Sequence, residues 1–106
     1  MNIPIDLINS LRTATKVAVL TGAGISKESG IPTFREAQTG LWARYDPTEL
    51  ATQEAFLENP KLVWDWYEWR RNLIKKATPN PGHYAITRIE SHVSEFTLIT
   101  QNVDGF

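Results

Sequence analysis

The chain contains no cysteine. Disulfides and thiolate-held metals are therefore excluded within these residues, and a reducing, cytoplasmic setting is the expectation. Long apolar runs are missing too. Val17-Ala18-Val19-Leu20 is far shorter than the roughly 20 residues that a membrane-spanning helix needs. Met1-Asn2-Ile3-Pro4-Ile5-Asp6 has no basic segment leading into an apolar one, so no secretory signal is expected. Neither sign of charge is in excess. Lys and Arg number 11 against 12 Asp and Glu, for a net charge of −1. No basic field marks the chain for nucleic acid or for an anionic membrane surface, so neither is an expected partner. Histidine is scarce: His83 and His92 are the only two.

What is present fits one small domain at most. The chain has 106 residues, 42% of them apolar and 22% charged, in the ordinary range of globular proteins. A chain of this size buries roughly 60–70% of its unfolded surface, enough for a thin core.

The hydrophobic pattern gives the order helix, strand, glycine loop, helices, strand. Ile5, Leu7, Ile8 and Leu11 suit an amphipathic helix over residues 3–12. Residues 16–20 form a short β-branched apolar run, the pattern of a strand buried on both faces. Residues 30–47 are rich in Gly, Pro and polar side chains and read as a long ordered loop, with a helix over 48–58 after it. Asn59-Pro60 is an N-cap followed by proline at the first helical position, opening a helix to about Ala77. Asn80-Pro81 repeats that signal for a helix to about Ser91, and residues 95–100 form a second strand. Helices between two strands predict an α/β fold with a parallel, Rossmann-like sheet.

Gly22-Ala23-Gly24 ends the first strand. Glycines there let a ligand approach the backbone without a Cβ in the way, and a following helix N-terminus would favour a pyrophosphate. A tight strand-to-helix turn explains Gly-x-Gly equally well. A dinucleotide fingerprint also needs a third glycine, where Lys27 stands. On the long helix, Leu62, Trp66, Trp69 and Leu73 share one stripe and are the predicted core. Tyr67 and Arg70, three apart on the adjacent stripe, are neighbours. A phenol beside a guanidinium makes a good carboxylate receptor. A surface tyrosine stacked on an arginine stem is the simpler alternative.

The run from Gly22 to Arg35, Gly22-Ala23-Gly24-Ile25-Ser26-Lys27-Glu28-Ser29-Gly30-Ile31-Pro32-Thr33-Phe34-Arg35, resembles the first signature of the sirtuin family. Thr100-Gln101-Asn102-Val103-Asp104 resembles its second, and Pro79-Asn80-Pro81-Gly82-His83 lies between them as the family's similar turn does. Three matches in order over about 85 residues are highly specific. The resemblance implies the N-terminal part of a sirtuin catalytic domain, the large NAD-binding domain, over residues 1–106. It implies NAD as cofactor, with Gly22, Ala23 and Gly24 along the pyrophosphate and Ser26 and Glu28 at the mouth of the loop. Pro32, Phe34 and Arg35 would belong to the loop covering the nicotinamide side. Gln101 and Asn102 would meet the nicotinamide ribose, and Val103 and Asp104 would form the pocket for the nicotinamide amide.

Tyr67-Glu68-Trp69-Arg70 resembles the Tyr-x-x-Arg motif of the sirtuin branch that removes acidic acyl groups. There the two residues hold the distal carboxylate of succinyl-lysine or malonyl-lysine. The implied partners are acylated lysine side chains of proteins, and the implied products are free lysine, nicotinamide and O-acyl-ADP-ribose. The family's general base, a histidine, and its four zinc-binding cysteines belong beyond Asp104. By resemblance, then, no catalytic residue falls within this chain, His83 is structural, and zinc is expected only downstream, in a separate module. The chain alone would be inactive and marginally folded. Rival readings are a nicotinamide dehydrogenase, which Lys27 and the long loop oppose, a non-catalytic NAD-binding module, and a general lysine deacetylase of the same family.

Overall fold

The structure, a computed structural model, describes residues 1–33, 36 and 38–106. Phe34 and Arg35, expected in the cofactor loop, lie outside the described residues. Helix α1 (Ile5–Thr13) leads into strand β1 (Lys16–Thr21). A 3-10 segment, Ala23–Ser29, follows, and a second covers Gly40–Trp42. Then come helices α2 (Pro47–Leu50), α3 (Gln53–Glu58), α4 (Pro60–Lys76) and α5 (Pro81–His92), and strand β2 (Glu95–Thr100). The two strands pair in parallel, in register from Lys16 with Glu95 to Thr21 with Thr100. No helix among the described residues is long and apolar enough to cross a membrane.

The helix starts follow from their caps. Asn59 Oδ1 accepts the Leu62 N–H at 3.1 Å, and Asn80 Oδ1 accepts that of Gly82 at 2.8 Å, each with proline next in sequence. These bonds satisfy helix N–H groups that have no partner inside the helix. The single helix expected over 48–58 is instead two. Thr52 leaves helical geometry at φ −122°, ψ 157° and its Oγ1 caps α3 by accepting the Ala55 N–H at 3.1 Å. Threonine competes with the helix by bonding nearby backbone, and here that competition wins. Asp46 caps α2, and its carboxyl sits below the usual carboxylate range because the Thr48 hydroxyl and then the Thr48 N–H donate to it.

The core is small. Ile31, Leu50, Val63 and Trp66 are the buried apolar side chains among the described residues. Of the predicted stripe on α4 only Trp66 is fully buried, while Leu62, Trp69 and Leu73 are half-buried. Val63, three residues before Trp66, takes the second buried place, so the buried stripe is rotated about the helix from the expected one. The strands also depart from expectation. Val17 and Val19 are half-buried, but Leu20 is 70% exposed and Ile99 53%. Successive side chains of a strand point to opposite faces. The face carrying Leu20 and Ile99 therefore has no cover among the described residues, and the strand is not buried on both sides.

Candidate functional site

Parallel sheets bind ligands beyond the carboxyl ends of their strands, and both signature segments lie there. Beyond β1 the chain makes a tight 3-10 turn, with the Ile25 N–H bonded to the Gly22 carbonyl at 3.3 Å. The turn ends at Gly30, whose φ of 85° favours glycine and whose N–H bonds to the Lys27 carbonyl at 2.9 Å. The regular helix expected here is absent. A single 3-10 stretch gives at most a small dipole, so close backbone approach is the relevant feature of this turn.

Gly22 and Gly24 do not need to be glycine for the chain's own sake. Neither has a positive φ. A Cβ on Gly24 would meet nothing within 4 Å, and one on Gly22 would make only ordinary contact with Gln101 Oε1 at 3.7 Å. The missing side chains leave open space beside exposed backbone, which fits the flank of a dinucleotide.

Beyond β2, the backbone N–H of Gln101 donates to the Thr21 carbonyl at 3.1 Å and extends the ladder by one step. Asn102 and Asp104 then turn inward, onto the glycine turn. Ser26 is 1% exposed and donates its hydroxyl to Asp104 Oδ2 at 2.5 Å. Asn102 Nδ2 donates to the Gly22 carbonyl at 2.9 Å and to Ser26 Oγ at 3.5 Å. Two segments nearly 80 residues apart thus share one polar network. Asp104 Oδ1 also accepts the Phe106 N–H at 3.2 Å. Each carboxylate oxygen has two acceptor positions, so Asp104 keeps capacity for an external donor. The amide hydrogens of Asn102 are engaged within the chain, and a ligand hydroxyl would have to meet its Oδ1.

The turn before α5 closes the arrangement. Asn80 Nδ2 donates to the Ile25 carbonyl at 2.7 Å and to Ser29 Oγ at 3.0 Å, stapling the glycine turn to the helix start. His83 Nδ1 accepts the Asn80 N–H at 3.1 Å, and its ring meets Phe106 edge-on at 5.0 Å. Sequence reasoning read Asn80 as a helix cap and as part of the family's turn, with no tie to the glycine turn. Its second use was not legible, because nothing local marks Ile25 as its partner. An open cleft of about 470 Å³ results, with Ile25, His83, Thr100, Asn102 and Asp104 on its wall.

The other expected site residues are more dispersed. Glu28 and Gln101 are exposed, and Val103 is 91% exposed. Pro32 is half-buried and lines a separate depression with Lys27, Glu36, Gln38 and Trp69. Lys27 does not mimic the missing third glycine. It pairs with Glu36 at 2.6 Å, while Glu36 also accepts the Thr33 N–H at 2.9 Å. The Lys27 hydrogen bond and then the Thr33 N–H hold the Glu36 carboxyl below its ordinary value, and Glu36 raises the Lys27 ammonium in turn.

Tyr67 and Arg70 share a common neighbour, the Trp66 indole. The Tyr67 ring stands edge-on to Trp66 at 4.8 Å, and the Arg70 guanidinium lies over the same indole at 5.3 Å. Burial pulls the Arg70 pKa down, and Tyr67 opposes that shift. No group of His, Cys, Asp and Glu among the described residues has the geometry to hold a metal ion.

The chain is similar to known proteins over most of its length. The chain is 57% identical over 99 residues to the NAD-dependent protein deacylase of Methylococcus capsulatus, covering 93% of the chain and 39% of that protein. It is 62% identical over 89 residues to the enzyme of the same name from Aquifex aeolicus, covering 84% of the chain and 37% of the relative. The chain thus spans about two fifths of the length of these curated relatives. Among solved structures it is similar to a Sir2 homologue variant bound to 2'-O-acetyl ADP ribose, with a TM-score of 0.87 and 46% identity over 97% of the chain and 41% of that structure. It is also similar to a Sir2 homolog–NAD complex, with a TM-score of 0.83 and 46% identity over 97% of the chain and 40% of that structure. The Sir2 family model matches residues 22–106, from the glycine turn through the Asn102–Asp104 segment, and the chain belongs to the Sir2 family.

Proposed function

We propose that this chain is the cofactor-binding part of an NAD-dependent protein lysine deacylase that favours acidic acyl groups, succinyl and malonyl. The observation that carries the cofactor half is the network joining Ser26, Asn102, Asp104 and the Gly22 carbonyl at the ends of both strands. Bound NAD would supply the glycosidic bond whose cleavage releases nicotinamide. Toward it, Gly22, Ala23 and Gly24 offer close backbone approach, Asn102 an acceptor for a ribose hydroxyl, and Asp104 a carboxylate for an amide NH₂. In this reading Ser26 fixes the carboxylate's rotamer through a charge-assisted bond. Gln101, Val103, Glu28, Pro32, Phe34 and Arg35 keep the roles that the family resemblance implies.

Neither histidine is assigned as the general base. His83 Nδ1 is held by the Asn80 N–H at the start of α5, and His92 sits at the helix end with Nδ1 2.7 Å from the Arg88 carbonyl. The residues of this chain bind and orient, and proton abstraction belongs to a group outside them. Zinc is likewise assigned to none of them.

The acyl reading rests on Tyr67 and Arg70 both lying against the Trp66 indole. The carboxylate of succinyl-lysine would take the planar donor fork of Arg70 and the phenol of Tyr67. The test uses a full-length protein carrying these residues, with kcat/KM measured on succinyl-lysine and acetyl-lysine peptides. Arg70→Met should lower the succinyl-to-acetyl ratio roughly ten-fold or more, because a buried carboxylate loses its charged partner. Tyr67→Phe should lower it less. Equal loss on both substrates would mean that the pair serves the fold, leaving general lysine deacetylation as the better reading.

A further inference from the structure

Gln38 is 7% exposed, although it lies in a polar loop where such side chains ordinarily face water. Its Oε1 accepts the indole N–H of Trp66 at 2.7 Å, and its Nε2 donates to the Tyr45 carbonyl at 3.0 Å. Trp66 itself is fully buried at 0% exposure. A tryptophan in a small core is bulky and can adopt more than one ring orientation, and a hydrogen bond to its single polar atom selects among them. The selected orientation matters because both acyl-carboxylate residues rest on this ring, Arg70 over its face and Tyr67 against it edge-on. A guanidinium binds a carboxylate bidentately only when its plane is correctly presented, so a rotated indole would misdirect the fork.

We propose that Gln38 is a positioning residue for acyl choice: through the Trp66 indole it sets the orientation of Arg70 and Tyr67, and so the preference for acidic acyl groups. This rests on the assignment of Tyr67 and Arg70 to the acyl carboxylate. The same contact ties Gln38 to α4.

Gln38→Met keeps the length and volume of the side chain and deletes both bonds. In a full-length protein it should raise KM for a succinyl-lysine peptide roughly three- to ten-fold, the worth of one neutral hydrogen bond. Turnover of an acetyl-lysine peptide should stay within about two-fold, as expected for a single neutral bond at its weakest. Trp66→Phe removes the donor while keeping an aromatic ring under Arg70, and should shift the succinyl-to-acetyl ratio in the same direction. If the bond is the cause, the double variant should be no worse on that ratio than either single one. Should Gln38→Met fail to fold, Trp66→Phe carries the test alone. Equal loss on both peptides, or no change in the ratio, overturns the proposal. Arg70→Met separates the two levels. If it lowers the ratio while the Gln38 and Trp66 variants do not, only the positioning role fails. If it too leaves the ratio unchanged, the acyl assignment fails and the positioning role with it.

Discussion

At the scale of single residues, Asp104 is the side chain on which the cofactor reading turns. It is half-buried, it takes a bond from a fully buried serine, and its other oxygen holds the chain on the Phe106 side. Asp104→Asn keeps an oxygen for Ser26 and preserves the side-chain shape, so the fold should be little disturbed. It removes the negative charge that would meet a nicotinamide amide. Charge-assisted bonds are worth about 1.5–3 kcal/mol, so kcat/KM for NAD should fall roughly ten- to a hundred-fold in a full-length protein, with the thermal midpoint nearly unmoved. Wild-type turnover in this variant would sink the assignment. Ser26, Asn102 and Asp104 could be picked out from the sequence because they stand in two specific signatures. Gln38 could not. A lone glutamine between Ala37 and Thr39 carries no local sign that it will be buried, since its partner indole lies 28 residues further on. Burial of that kind is decided by tertiary packing, which periodicity does not report.

At the scale of elements, strand and helix starts were the most legible features, because each has a local physical cause. Asn59-Pro60 and Asn80-Pro81 fix α4 and α5 by side-chain capping, and both strands stand at the β-branched runs. Thr52 breaking residues 48–58 into α2 and α3 was not legible, because a threonine can cap or continue a helix with similar ease. The turn after β1 was expected to be the N-terminus of a regular helix; it is instead a 3-10 stretch, tied by Asn80 to the start of α5 and, at the surface, by the Lys27–Glu36 pair. That tie has a definite pH range. Glu36 is held below the ordinary carboxylate value of 4.5, so its contribution is full above that pH and is lost as pH falls through the lowered value. Lys27 is raised above 10.5, so its contribution is full below that pH and is lost as pH rises through the raised value. Between these limits Glu36 should hold both Lys27 and the Thr33 N–H. Amide exchange of Thr33, corrected for the intrinsic pH dependence, should be slowest there and should quicken below the lowered Glu36 value. Added salt should quicken it as well, because the pair is exposed and screened. Protection at Thr33 indifferent to both acid and salt would show that the pair holds nothing.

At the scale of the whole molecule, the shape explains why so few side chains are buried. The chain extends 53 × 26 × 23 Å with a radius of gyration of 17.8 Å, against roughly 13 Å for a compact chain of this length. A two-stranded parallel sheet is an unusual thing to leave with one face open, since such sheets are normally covered on both sides. Here Leu20 and Ile99 pair in register on the open face, and each is more than half exposed. Leu98, on the opposite face towards the cleft, is 46% exposed. The fold class was nevertheless readable, because helices between two apolar runs make a parallel crossover the natural pairing whatever covers the sheet. The burial was not, because alternation along a strand does not reveal which faces find a partner. An apolar surface of this kind recruits whatever is available. The purified 106-residue chain should therefore bind a dye that brightens on apolar surface and should unfold over a broad temperature range. Its unfolding enthalpy should fall well below the roughly 0.7 kcal/mol per residue of well-packed domains. The same preparation, given NAD and succinyl-, malonyl- or acetyl-lysine peptides, should release no nicotinamide, since both of its histidines are assigned to helix ends. Substituting Leu20→Thr and Ile99→Thr together places β-branched residues of strand-compatible shape at both positions and should reduce dye binding markedly. A sharp, two-state transition with no dye binding would mean that the strand face is not open in solution, and nicotinamide release would mean that a base for the reaction lies within these residues after all.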